Sequence, residues 1–253
     1  MPEGLDVIRD GAVCVLTFQR PEKLNAISTT VERALLEALV GPEVGESRAV
    51  VFAGDEQVFS AGADMLEERD ESPGGVDDYY RDTGDVYERI ASLPQPTFAA
   101  ISGWCLGAGF ELALATDFRI ADETAVFGLP EVALGIVPSS GGTYRLVRAL
   151  GPARAKELLL LKPRLDAAEA FRLGVATELV AAGQALPRAL ELARQVAELP
   201  PLAASAAKRA ADAIAGSSRE AGILVERLAY AALAQTDEAK EAGKAFGARK
   251  TSR

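Results

Sequence analysis

The sequence predicts an α/β fold, and three observations carry the prediction. Two short apolar runs, Ala49-Val50-Val51-Phe52-Ala53 and Thr97-Phe98-Ala99-Ala100-Ile101, each lead into a glycine-bearing loop and then into helix-forming sequence. Runs this short, bounded by turn residues, read as buried strands, and strands alternating with helices call for crossover connections. From Gly141 onward the apolar spacing becomes helical.

Taken in order, residues 7–18 read as two β-branched runs joined at Asp10-Gly11, a hairpin signal. Arg20-Pro21-Glu22-Lys23 breaks the second run, and Thr29 with Glu32 has capping-box spacing for a helix running toward Val40. After the strand at 49–53, small residues lead to Asp64, placed to open a helix. The acidic stretch 67–78, with its glycines and a proline, reads as a solvated loop and is the best candidate for a mobile one. Helices are expected over residues 153–161, 166–173 (Asp166 and Glu169 at N-cap spacing), 185–199, 202–214 and 218–234. Pro200-Pro201 and Gly216-Ser217 separate the last three. The layout is a core over residues 1–195 and a helical region over residues 196–253.

Composition narrows the chemistry. A chain of 253 residues buries one sizeable core, and its formal net charge of −10 argues against nucleic-acid or anionic-membrane partners. It has no apolar run of membrane-spanning length, and its first ten residues carry charges where a secretion signal needs apolar ones. Cys14 and Cys105 lack metal-ligand spacing and read as reduced thiols of a cytoplasmic protein. Cys105 borders a glycine-rich run, but nothing near it in sequence resembles a base that would activate it. There is no histidine at all. That removes Ser-His-Asp and Cys-His systems and His-ligated metals, so no metal site is expected and proton transfer falls first to carboxylates.

Two glutamates stand out. Glu111 lies in Gly107-Ala108-Gly109-Phe110-Glu111-Leu112, and Glu131 in Phe127-Gly128-Leu129-Pro130-Glu131-Val132. Apolar, glycine-lined surroundings raise a carboxyl pKa toward neutrality by desolvation. Two loops, Ser60-Ala61-Gly62-Ala63-Asp64-Met65 and Ser102-Gly103-Trp104-Cys105-Leu106-Gly107-Ala108-Gly109, combine small residues with a following helix start, which leaves amides free for an oxyanion. Gly103, Gly107 and Gly109 do not fall at dinucleotide-binding spacing. Singly, each loop is also a tight turn with a helix cap, and each glutamate a first-turn helix residue or ion-pair partner. Together they point to an enolate-like oxyanion with carboxylate acid–base chemistry.

These segments, in this order, resemble the enoyl-CoA hydratase/isomerase (crotonase) superfamily. So do Gly135-Ile136-Val137-Pro138, Gly141-Gly142-Thr143-Tyr144-Arg145-Leu146, Arg20-Pro21 with Asn25-Ala26, and Glu241-Ala242-Gly243-Lys244-Ala245-Phe246. The resemblance implies a crotonase-like spiral of ββα units in which the C-terminal helical region serves trimerisation, usually as a dimer of trimers. It implies an acyl-CoA thioester as substrate, with coenzyme A part of that substrate and no separate cofactor. It assigns the amides of Ala63 and Ala108 to the thioester oxygen; alanine at 108, where the family usually has glycine, adds a methyl that narrows the acyl pocket. It makes Glu111 the residue that orients or deprotonates water and Glu131 the acid. Isomerases of the family often keep only the second glutamate, so the pair favours hydration of 2-trans-enoyl-CoA over double-bond isomerisation. It places Lys23, Leu24, Ala26, Ala61, Asp64, Met65, Leu66, Leu106, Gly107, Pro130, Leu134 and Gly135 around the substrate. The tail from Lys240 carries five basic residues against one acid, and Arg249 or Lys250 is brought by resemblance toward the CoA phosphates, although a solvated basic terminus explains the same residues. RNA binding or a scaffold without turnover, known for some members, is disfavoured by the acidic balance and by the presence of both glutamates.

Overall fold

Asp10-Gly11 turns the chain back as the sequence predicts. β1 (Leu5–Asp10) and β2 (Val13–Phe18) pair antiparallel, with Leu5 opposite Phe18 and Asp10 opposite Val13. The computed structural model describes residues 4–67, 72–162 and 164–243. α1 (Thr29–Val40) and the short α2 (Pro42–Gly45) follow. From there the chain repeats one unit: two strands, then helix. β3 (Ala49–Ala53) and β4 (Val58–Ser60) precede α3 (Pro73–Asp82) and α4 (Val86–Ala91). β5 (Thr97–Ile101) and β6 (Trp104–Leu106) precede α5 (Ala108–Ala115), and β7 (Phe118–Asp122) and β8 (Val126–Gly128) precede α6 (Gly142–Leu160). In each unit the first strand joins a large sheet and the second a small one. β9 (Leu165–Asp166), α7 (Ala167–Leu173) and β10 (Glu178–Val180) complete two sheets of order β1-β2-β3-β5-β7-β10 and β4-β6-β8-β9. All ladders are parallel except the β1–β2 hairpin and β8–β9.

The period of two along the strands divides the core. Cys14, Leu16, Val50, Phe52, Ala99 and Ile101 face the main core. Their neighbours Val13, Val51, Phe98 and Ala100 face the other side, where α8 (Ala185–Ala197) lays a row of buried alanines, Ala185, Ala189 and Ala193, against them. Alanine at every fourth position lets helix and sheet approach closely. Both cysteines are fully buried, and burial pushes the Cys14 thiol up to about 11 and the Cys105 thiol up as well, which leaves neither reactive.

Several expectations are corrected. Ser28, not Thr29, caps α1, its hydroxyl accepting from the Val31 amide. Glu32 is not a capping-box partner: it is buried and accepts from the hydroxyls of Tyr79 (2.6 Å), Thr83 (2.9 Å) and Tyr87 (3.3 Å). Asp64 opens no helix among the described residues: its Oδ1 closes a turn by accepting from the Leu66 amide at 3.3 Å, and its Oδ2 pairs with Arg20 at 2.9 Å. Part of the stretch read as a loop is helical: α3 starts after Ser72, whose side chain accepts from the Gly75 amide. The helix expected from 153 stands, following the non-helical Gly151 (φ 76°, ψ 162°) and Pro152; a further helical segment from Gly142, not expected, precedes that break.

α8 ends at Ala197, so the division expected at 195/196 falls inside a helix seated on the large sheet. Beyond it, α9 (Pro201–Ile214) has no fully buried residue and α10 (Arg219–Leu233) has only Gly222. Leu190 and Val196 of α8 are partly buried and pack against the same side of the large sheet. No helix among the described residues is long and apolar enough to cross a membrane.

Candidate active site

Three adjacent strands of the small sheet run parallel, so their carboxyl ends release three loops on one side. β4 leads into Ala61-Gly62-Ala63, β6 into Gly107-Ala108 and α5, and β8 into Leu129-Pro130-Glu131. This parallel register brings together segments that are far apart in sequence. The first two loops lie in contact: a β-carbon on Gly62 would sit 3.6 Å from the Ala108 amide nitrogen and 3.6 Å from the Gly107 Cα. Gly107 adopts φ 49°, ψ −128°, and its amide is tied to the Gly128 carbonyl at 2.9 Å. The amides of Ala63 and Ala108, the two expected to meet an oxyanion, donate to no acceptor among the described residues.

The two glutamates converge here but in unlike surroundings. Glu111 sits in the first turn of α5 and is 3% exposed. Its Oε1 accepts from the amides of Ser140 and Gly142, both at 2.8 Å. Burial raises its pKa, while those amide bonds and the Arg145 charge pull the other way. Glu131 lies in the single turn Pro130–Leu134, its Oε1 3.2 Å from where a β-carbon on Gly107 would stand. Its Oε2 is buried with no hydrogen-bond partner. Burial pushes the Glu131 carboxyl up to about 7, with the nearby Glu111 charge adding to the rise.

The loop carrying Lys23, Leu24 and Ala26 is stitched to the first amide loop. The Ala61 amide donates to the Leu24 carbonyl at 3.0 Å, the Ile27 amide to Gly62 at 2.8 Å, and the Asp64 amide to Ile27 at 2.9 Å. Arg20 pins both loops, donating to the Ala26 carbonyl at 2.7 Å and to Asp64 at 2.9 Å, and this guanidinium holds the Asp64 carboxyl below its usual range. Asn25 is buried beneath, donating to the Val58 carbonyl. Leu24, Met65, Leu66 and Leu134 are exposed, Leu106 and Pro130 are partly buried, and Gly135 closes the Glu131 turn at φ 82°. Arg249, Lys250 and the other basic residues from 244 onward lie outside the described residues. Sequence reading missed Arg20 and Asn25 as loop-holding groups; their signal was the Arg20-Pro21…Asn25-Ala26 pattern. It also missed the Ser140–Gly142 amides, which only the fold brings to Glu111.

A family model described as enoyl-CoA hydratase/isomerase matches residues 9–252. The chain is 39% identical over 249 residues to a Rhizobium meliloti (strain 1021) protein named "Probable enoyl-CoA hydratase", covering 98% of this chain and 96% of that one. The crystal structure of an enoyl-CoA hydratase from Bacillus anthracis superposes with a TM-score of 0.90 at 32% identity, covering 98% of this chain and 97% of the other. A Thermobifida fusca YX structure solved in complex with CoA gives a TM-score of 0.84 at 30% identity, covering 90% and 92%.

Proposed function

The chain belongs to the enoyl-CoA hydratase/isomerase family and is an enzyme of the hydratase kind; on that premise we propose that it adds water across the C2=C3 bond of 2-trans-enoyl-CoA thioesters using Glu111, Glu131 and the amides of Ala63 and Ala108. The observation that carries the assignment of roles is the unequal setting of the two carboxylates. Burial raises the Glu111 pKa, but two amide donors and a nearby guanidinium oppose that rise by holding its charged form. Glu131, with a buried oxygen lacking any partner and its pKa near 7, favours its neutral form. A carboxyl whose charged form has donors and one with a buried oxygen that has none divide into base and acid.

In this reading the amides of Ala63 and Ala108 hold the thioester oxygen and stabilise it as negative charge develops. Glu111 takes a proton from water as its oxygen bonds to C3. The C2=C3 electron pair moves toward the thioester, and the resulting enolate takes the Glu131 proton at C2. Passage of one proton from Glu111 back to Glu131 restores the starting charges, so the net change is addition of one water. No separate cofactor enters.

The stitched loops carrying Leu24, Ala26, Ala61, Asp64, Met65 and Leu66 are assigned to the CoA moiety, and the relative solved in complex with CoA supports that ligand. Lys23 and, from the tail, Arg249 are assigned to its phosphates. The exposed apolar residues of the C-terminal helices support a homotrimer or a dimer of trimers, and two buried free thiols support a cytoplasmic setting. A panel of crotonyl-, longer-chain and aromatic enoyl-CoA substrates, followed by loss of the conjugated double bond, tests the function; no hydration of any member refutes it.

A further inference from the structure

The turn that holds Glu111 is itself held at three consecutive carbonyls, two by side chains and one by the first backbone bond of α6. Two of its peptide groups donate to the carboxylate: the Ser139–Ser140 peptide through the Ser140 amide, and the Gly141–Gly142 peptide through the Gly142 amide. The carbonyl end of the first accepts from the Tyr80 hydroxyl of α3 at 2.9 Å. The carbonyl end of the second accepts from the Arg145 backbone amide at 2.9 Å. The carbonyl between them, that of Ser140, accepts from Arg145 Nη1 at 2.8 Å. Arg145 Nη2 reaches the other way, to the Tyr87 carbonyl at 3.5 Å and to the carboxylate of Glu88, both on α4. The Arg145 side chain is only 10% exposed. Gly141 has φ 91°, and Arg145 Nη1 lies 2.2 Å from where its β-carbon would be, so the side chain fills the space a larger residue would need.

We propose that Arg145 is a positioning residue for Glu111: its guanidinium fork, assisted by Tyr80, fixes the Ser140–Gly142 turn whose amides aim the carboxylate. Polarising a peptide carbonyl strengthens the bond its own N–H makes, so Tyr80 and the Arg145 backbone amide strengthen the two donors, while the Arg145 guanidinium, bound to the peptide between them, fixes their place. The proposal rests on Glu111 being the water-activating group. Arg145 on α6 also supplies the positive charge facing Glu111; Tyr87 on α4 and Glu131 after β8 are the other titratable groups that face it.

The test measures kcat and KM for crotonyl-CoA hydration across about pH 5 to 9 for Arg145→Gln, Arg145→Lys, Tyr80→Phe and, as reference, Glu111→Gln. Arg145→Gln is expected to lower kcat on the order of 10- to 100-fold while KM stays within about twofold, because a displaced catalytic group loses rate rather than binding. Its acidic limb moves to higher pH, since Glu111 loses the cation that favours its charged form. Arg145→Lys keeps that limb in place but not the rate, because an ammonium lacks the fork that spans Ser140 and α4. Tyr80→Phe lowers kcat about severalfold with the limb unmoved. A parent kcat in either Arg145 variant, a loss confined to KM, or an unmoved limb in Arg145→Gln overturns the proposal. If Arg145→Gln does not fold, Arg145→Lys and Tyr80→Phe decide it, and parent kcat in either overturns it. Parent hydration by Glu111→Gln would instead overturn the functional reading on which the proposal stands.

Discussion

The Gly142 amide donates to Glu111 at 2.8 Å, and a β-carbon on Gly142 would lie 2.8 Å from both Cγ and Oε1 of the same side chain. One residue therefore holds the carboxylate only because it carries no side chain. Gly142→Ala must move either the turn or Glu111. We predict a kcat loss on the order of 100-fold, the scale of an ångström-sized misplacement, with little change in KM. Gly45→Ala is the control, because a β-carbon there meets nothing within 4 Å. Equal activity of the two variants would show that Glu111 needs no such cradle.

The unlike settings of the carboxylates predict unlike losses. Glu131→Gln removes the proton delivered at C2 and should abolish both hydration and any double-bond isomerisation. Glu111→Gln should lose hydration on the order of 10²- to 10⁴-fold and harm isomerisation less, because isomerisation needs no activated water. Its amide oxygen can still accept from Ser140 and Gly142, so the fold is retained. The measurement is hydration of crotonyl-CoA beside isomerisation of a 3-enoyl-CoA. Equal losses of the two reactions in Glu111→Gln would contradict the division of roles.

Glu131 also predicts a pH dependence of stability. Its pKa is raised from 4.5 to about 7, chiefly by burial. Below 4.5 the carboxyl is protonated in folded and unfolded chains alike, and the stability is fully present. As pH rises toward 7 the unfolded chain ionises first, so stability is lost across that window and levels off above it. Glu131→Gln cannot ionise. The variant should therefore be more stable than the parent at about pH 8, by on the order of 1 kcal/mol for a partly buried group, and match it at about pH 4. In the parent, kcat/KM should fall above about pH 7 as the acid loses its proton. A Glu131→Gln melting curve that tracks the parent at every pH would mean the site carries no such cost.

What was legible in the sequence follows from how local each signal is. The hairpin at Asp10-Gly11, the strands at 49–53 and 97–101, and the Asp166 cap with its 2.8 Å bond from the Glu169 amide need only neighbours in sequence, and they stand where expected. The strands of the small sheet are two or three residues long and carry no period of their own; pairing alone makes them strands. α3 opens on Pro73-Gly74-Gly75, a turn-like start, and is tied down by Tyr79 to Glu32 and by Tyr80 to Ser139, both distant in sequence. The candidate site divides the same way. Glu111, Glu131 and the two amide loops announce themselves through glycine-rich surroundings. Arg20 and Arg145 look like ordinary surface arginines until the fold shows that their acceptors are backbone carbonyls of the site loops.

A nearly buried ion pair fastens the C-terminal helices to the core. Lys208 of α9 meets Asp117 at 2.9 Å and the Gln95 carbonyl at 3.2 Å, with 8% of the lysine side chain exposed. Asp117 is also held by the amide and hydroxyl of Thr97. Lys208→Met should cost about 1–3 kcal/mol, less than a fully orphaned charge because the Thr97 donors remain. Hydrogen exchange is expected to quicken in residues 201–214 before it does in the large sheet. Uniform quickening would mean the pair supports the whole core rather than the docking of α9.

Assembly is the last consequence of those helices. Leu199, Leu202, Leu224, Leu228 and Tyr230 are between 50% and 75% exposed; the last four lie on α9 and α10, whose only fully buried residue is Gly222. Large apolar side chains left in water on neighbouring elements favour being covered, since each fully covered leucine contributes about 1.5–3 kcal/mol. Covering them with copies of the same chain is the economical solution, and a closed ring satisfies every copy alike. We predict a trimer or a dimer of trimers by light scattering. Leu224→Lys with Leu228→Lys should shift it toward a chain of 26.6 kDa, because lysine at a buried contact is costly while on a free helix it is tolerated. A parent protein that scatters as 26.6 kDa at micromolar concentration, with these leucines intact, would show that the exposed face is not an assembly surface.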